Sequence, residues 1–155
     1  MTIKKTNYLH MKHSLNDNAI IQGYIKGNNF GRHINMHFEI LQPGDVHYRI
    51  IIDDCHLATP IASHGGVVAS LMDSTLGIAA LSLVCEEGNI VSTVNMNLNF
   101  LAPVKKGDEL NAFSKVLTKG KRLIVTEAEI FNQNNRIVSK GMGTFNIYPS
   151  HKAGY

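Results

Sequence analysis

The chain has 155 residues, 44% of them hydrophobic and 17% charged, with a formal net charge of +3. That apolar share excludes a disordered tail, and so small and scattered a basic excess argues against a nucleic-acid partner. Two cysteines, Cys55 and Cys85, cannot build a disulfide scaffold and read as reduced thiols in a cytoplasmic protein.

By length, 1–155 reads as one domain, with 1–30 as an N-terminal extension. The first ten residues have a basic start but no apolar run behind it, against a secretory signal. No stretch is long and apolar enough, with wholly apolar flanks, to argue for a membrane span, so no membrane partner is expected. The extension holds a possible short helix over 14–25, beginning at Ser14. Segments 34–41 and 46–52, joined by Gln42-Pro43-Gly44-Asp45, read as a β-hairpin. Next comes 64–85, without proline, where Leu71, Met72, Leu76, Ala79, Ala80 and Leu83 recur at helical steps. Apolar groups sit on nearly every face, which predicts a buried helix. Gly66, Ser70, Asp73, Gly77 and Ala80 form a stripe of small residues along it. Four strands follow, over 94–100, 110–118, 122–132 and 137–148, joined by short polar turns and therefore antiparallel. The first alternates strictly, with Asn95, Asn97 and Asn99 on one face. A helix apolar all round must be wrapped. The economical solution is an α+β domain with a curved antiparallel sheet around one long central helix.

Two features of the helix carry chemistry. Asp73 sits among Val68, Leu71, Met72, Leu76 and Ala80, where a lone carboxylate is costly to bury. It is either a structural residue bonded to a nearby hydroxyl such as Ser70, Ser74 or Thr75, or a reacting group. His64-Gly65-Gly66 opens the helix, and the first N–H groups of a helix are suited to polarise a carbonyl or hold an anion; the same triplet also makes an ordinary tight turn.

The pattern His64-Gly65-Gly66-x6-Asp73, followed by Gly77, resembles the helix signature of the hot-dog-fold acyl-CoA thioesterases, in particular the phenylacetate-pathway (PaaI-like) branch. The run from Val91 to Asp108 resembles that family's strand and turn after the helix. Gly120-Lys121-Arg122 and Gly141-Met142-Gly143-Thr144-Phe145 resemble its later strands. The resemblance covers roughly 30–148, most of one domain by the length prior. It implies a hot-dog fold, a homodimer or homotetramer, and hydrolysis of an acyl-CoA substrate without a metal or organic cofactor. Carried over by position, Asp73 would attack the thioester carbonyl or activate a water. The Gly65 N–H would hold the developing oxyanion. Thr93 would orient the water or the carboxylate, and His64 would complete the catalytic group. Gly66 would contact substrate. At Ala58 and Ile61 the sequence departs from the family's usual Asn and Gly; His56, Thr59 and Ser63 are the nearby candidates to stand in for the Asn. Lys121 and Arg122, in a turn, are candidates for the phosphates of coenzyme A. A non-catalytic acyl-CoA sensor on the same fold is the alternative function.

Other candidates are weaker. Cys55 and His56 are adjacent, and neighbours on a strand would point to opposite faces. His10 and His13 make at most half a metal site. Cys85 reads as packing at the helix end.

Overall fold

The computed structural model describes Leu15 and residues 17–154. The expected helix start at Ser14 lies outside the described residues. Within that segment, helix α1 (Ala19–Gly27) begins after Asn18, whose side chain accepts from the Ile20 and Ile21 N–H groups. This satisfies two of the orphan donors that every helix start leaves. A one-turn helix α2 (Asn29–His33) leads into the hairpin of β1 (His37–Gln42) and β2 (Asp45–Ile51). A 3-10 turn at Asp54–His56 precedes the long helix α3 (Gly65–Ser82). Strands β3 (Asn89–Phe100), β4 (Glu109–Lys119), β5 (Leu123–Asn132) and β6 (Ile137–Pro149) complete the chain. The helix is shorter than 64–85, because the chain turns after Ser82 and Cys85 begins a separate 3-10 turn.

The six strands form one antiparallel sheet in the order β1-β2-β4-β5-β6-β3. Helix α3 packs on its concave face against β2, β3, β4, β5 and β6. Val46, Tyr48 and Ile50 of β2, Leu110 and Ala112 of β4, and Ile124, Ala128 and Ile130 of β5 point inward at alternate positions, so one face of the sheet makes the core. By length and composition α3 could cross a membrane, but the sheet covers most of it. This is the hot-dog arrangement expected from the sequence.

Strand β6 meets the helix through glycines. A Cβ on Gly141 would lie 2.9 Å from both the Asn97 carbonyl oxygen and Met72 Sδ, and one on Gly143 would lie 2.8 Å from the Phe145 ring. The missing side chains let Met72 and Leu76, both fully buried, lie against the strand.

The helix is not buried all round, however. Ser70, Asp73, Ser74 and Gly77 are only partly covered and Gly66 is exposed, because the sheet ends at β3 and leaves one flank of α3 open.

Gly141→Ala is expected to lower unfolding stability by about 1–3 kcal/mol through overpacking. Gly27→Ala, where a Cβ meets nothing within 4 Å, should leave it unchanged or slightly higher. Urea denaturation midpoints check the pair; equal midpoints would contradict the close approach.

Candidate active site

Asp73 lies on the open flank of α3, facing the edge strand. Thr93 Oγ1 of β3 donates to Asp73 Oδ1 at 3.0 Å. A register shift between Thr93 and Asn95 makes this possible. Thr93 is paired with inward-facing Phe145. One extra residue, Val94, then restores the alternation so that Met96 and Leu98 pack inward while Asn95, Asn97 and Asn99 face outward. Such bulges re-aim side chains. None of the hydroxyls on the helix holds the carboxylate. Ser70 donates to the Gly66 carbonyl and Thr75 to the Leu71 carbonyl, and Ser74 is a hydrogen-bond partner of the Tyr48 phenol.

Asp73 and Thr93 border a pocket of about 270 Å³. Its walls are mostly apolar: Gly77, Ile78 and Leu81 from α3, Ile90 from β3, and Phe145 and Tyr148 from β6. Tyr24 of α1 closes another side. Its phenol lies 3.2 Å from that of Tyr48 and accepts from Asn28 Nδ2, and its ring packs edge-on to Phe38. Burial above all, with Tyr24 adding to it, holds the Tyr48 hydroxyl far above the ordinary phenol range, so the Tyr48 phenol stays neutral. Tyr24, Phe145 and Tyr148 were not expected at the site, and Ser74 was expected only as a structural partner of Asp73. Gly77, a glycine in mid-helix, was the signal that something lies against this face.

The start of α3 is a second polar centre. His64 caps it, its Nδ1 accepting the Gly66 N–H at 2.8 Å. Gly66 therefore has its donor already engaged, and the His64 ring serves the helix end. The Gly65 N–H meets no acceptor among the described residues, and the first turn carries no acidic residue. Phe100, more than half exposed, lies beside it, with its ring 3.5 Å from where a Gly65 Cβ would be. Gly65 and Asp73 are eight residues apart on one helix, hence about 12 Å along the axis.

Other expected residues lie elsewhere. His56 is 1% exposed. Its Nδ1 accepts from the Asp53 N–H and its Nε2 faces the Ile34 carbonyl oxygen at 3.0 Å, so it ties two loops together and does not offer itself to substrate. Asp53 Oδ1 lies 3.2 Å from that same Nδ1, but a nitrogen already accepting an N–H cannot also donate, so the contact is not an ion pair. Cys55 is on a 3-10 turn rather than a strand. It is exposed, and its thiol donates to Asp53 Oδ1 at 2.9 Å, which raises the thiol pKa and keeps the proton on sulfur. Asp53, Cys55 and His56 bring their ligand atoms within 4.8 Å of one another, but these bonds already occupy the His56 lone pair and the thiol. His10 and His13 lie outside the described residues. Thr59 Oγ1 accepts from the Ala62 N–H, and Ser63 Oγ faces the His56 and His64 carbonyls, so both hydroxyls serve the loop before α3. Lys121 and Arg122 are exposed on the β4–β5 hairpin. Ile124, just beyond them, is two strands from Thr93, about 10 Å away.

A sheet wrapped on one helix, with a carboxylate at mid-helix and an N–H without an acceptor among the described residues at the helix start, has counterparts among known proteins. The family model of the thioesterase superfamily matches residues 63–139. Human acyl-coenzyme A thioesterase 13 is 28% identical over 128 residues, covering 81% of this chain and 89% of its own. The fold matches the Escherichia coli PaaI protein of the phenylacetic acid degradation operon with a TM-score of 0.78 at 22% identity, over 88% of this chain and 94% of that one. A hypothetical thioesterase from Streptococcus pneumoniae, solved with coenzyme A, matches with a TM-score of 0.68 at 25% identity, over 74% of this chain and 87% of that one.

His64→Ala should lower stability by about 0.5–2 kcal/mol by releasing the Gly66 N–H, and His64→Asn should recover most of it. Chemical denaturation reads both; an unchanged His64→Ala would mean that the cap contributes nothing.

Proposed function

We propose that this protein hydrolyses acyl-CoA thioesters, with Asp73 as the reacting carboxylate. The observation that carries the reading is the Asp73–Thr93 pair opening into an apolar pocket on a chain that the thioesterase-superfamily model matches. The kinship with an acyl-coenzyme A thioesterase and the fold shared with a coenzyme A-bound relative support it.

The reaction forms one C–O bond and breaks one C–S bond. Asp73 either takes a proton from water as the water oxygen adds to the carbonyl carbon, or adds to that carbon itself and is released by water in a second step. Both routes need its ionised form. The Thr93 hydroxyl fixes one carboxylate oxygen and leaves the other for the reaction. Charge builds on the carbonyl oxygen as the tetrahedral species forms, and a helix-start N–H such as that of Gly65 is suited to hold it. The sulfur leaves as thiolate and is protonated to free coenzyme A.

Both groups must lie about 3 Å from one reacting centre, which a separation of about 12 Å along one straight helix forbids. In our reading two chains pair about a twofold axis so that the start of one α3 lies beside the middle of the other. Strand β3 offers the surface: it is a sheet edge of 12 residues, with Val94 and Phe100 exposed on it. Long unprotected edges invite pairing. The assembly would be a homodimer or a tetramer of such dimers.

Asp73→Asn should keep the fold and lower kcat by about 10²–10⁴ or more. Thr93→Ala should lose about 10- to 100-fold, the worth of a hydrogen bond to a charged group. The assay is thiol release from short, medium and aromatic acyl-CoAs. Binding of those thioesters without release by the wild type would favour the sensor, and near-normal turnover by Asp73→Asn would remove Asp73 from the mechanism.

A further inference from the structure

The pocket beside Asp73 has an unexplained glycine in its wall. Gly77 lies in the middle of α3, where glycine is the poorest helix former after proline. Nothing in the backbone asks for it, because Gly77 is not among the glycines with positive φ. Nor does packing within the chain. An added Cβ would meet a single side-chain atom, Phe145 Cε1, at 3.5 Å, which is ordinary contact. This separates Gly77 from Gly141 and Gly143, whose added Cβ atoms would collide with the core. What a side chain at Gly77 would enter is the pocket.

Asp73, Gly77 and Leu81 are four residues apart in turn and share one face of α3, at about 6 Å per step. The row runs from the carboxylate, past a gap with no side chain, to an apolar residue. We infer that this row is the floor of the acyl subsite and that Gly77 is the specificity-determining residue, leaving room for the first carbons beyond the reacting carbonyl. The inference rests on the thioester-hydrolase reading above. About 12 Å of floor, at about 1.3 Å of advance per carbon in an extended chain, with room left for the carboxylate and the end wall, suits acyl groups of up to about eight carbons. The volume of about 270 Å³ agrees, lying just below the range of about 300–1,000 Å³ that takes drug-sized ligands. Tyr24, Phe145 and Tyr148 form the other walls.

The test measures kcat/KM by thiol release for saturated acyl-CoAs of two to sixteen carbons, on wild type, Gly77→Ala and Gly77→Val. Calorimetric affinity for the same series is measured alongside. The wild type should lose activity beyond about eight to ten carbons. Gly77→Ala should lower the ratio of eight-carbon to two-carbon activity by about tenfold, the cost of one methylene denied its place, and Gly77→Val by more. Melting temperature and light scattering report folding and assembly; Gly77→Ala should melt no lower than wild type. The same factor at every chain length, or an assembly broken by Gly77→Ala, would overturn the inference. If the wild type releases no thiol from any member, the hydrolase reading falls by itself. The affinities then decide the pocket: a chain-length dependence lost in Gly77→Val keeps it, and its absence in the wild type removes it.

Discussion

A single hydrogen bond, from Thr93 to Asp73, joins the middle of the central helix to the free edge of the sheet, and the site depends on it. A carboxylate is tolerated on so apolar a helix because it stands on the one flank that the sheet leaves open, with a hydroxyl donor opposite. The rest of the fold makes that flank. Glycines on β6 draw the helix onto the sheet, Met72 and Leu76 fill the contact, and the sheet ends at β3. The bulge at Val94 lets one strand serve two ends, with Thr93 aimed at Asp73 and Met96 and Leu98 packed inward.

Much of this architecture was legible from residue patterns. The 3.6-residue recurrence from Leu71 to Leu83 and the polar turns between alternating segments are local properties, and they led to a wrapped helix with antiparallel strands. Three things were not legible, each because it depends on distant neighbours. The alternation from Val94 to Phe100 continues smoothly, so nothing in it marks the change of register before Asn95. His56 stands beside an exposed cysteine in a polar loop, yet folding places its ring against Ile34, which is distant in sequence. The hydroxyls near Asp73 on its own helix were the natural partners by spacing, but each is turned to a backbone carbonyl or to Tyr48. The pairing of Asp73 with Thr93 was suggested only by family resemblance, since no periodicity links positions twenty residues apart.

The same helix sets the limit on what one chain does. Its free N–H and its carboxylate are both suited to a thioester, and the rigidity that makes each useful keeps them about 12 Å apart. The function proposed here therefore extends to assembly as much as to chemistry: each site would take its oxyanion donor from one chain and its carboxylate from the other.

The most direct measurement mixes two inactive proteins. Asp73→Asn lacks the carboxylate. Gly65→Pro lacks the N–H, at a first helical position where proline is accepted and after a His64 whose ψ of 134° already suits a following proline, although the ring would also crowd the thioester. Unfolded together in equal amounts and refolded, half of the dimers should be mixed, each with one doubly altered site and one intact site. Thiol release should then return to about a quarter of wild type if the dimer is twofold. Mixed dimers shown to form, with no recovered activity, would mean that each chain builds its own site.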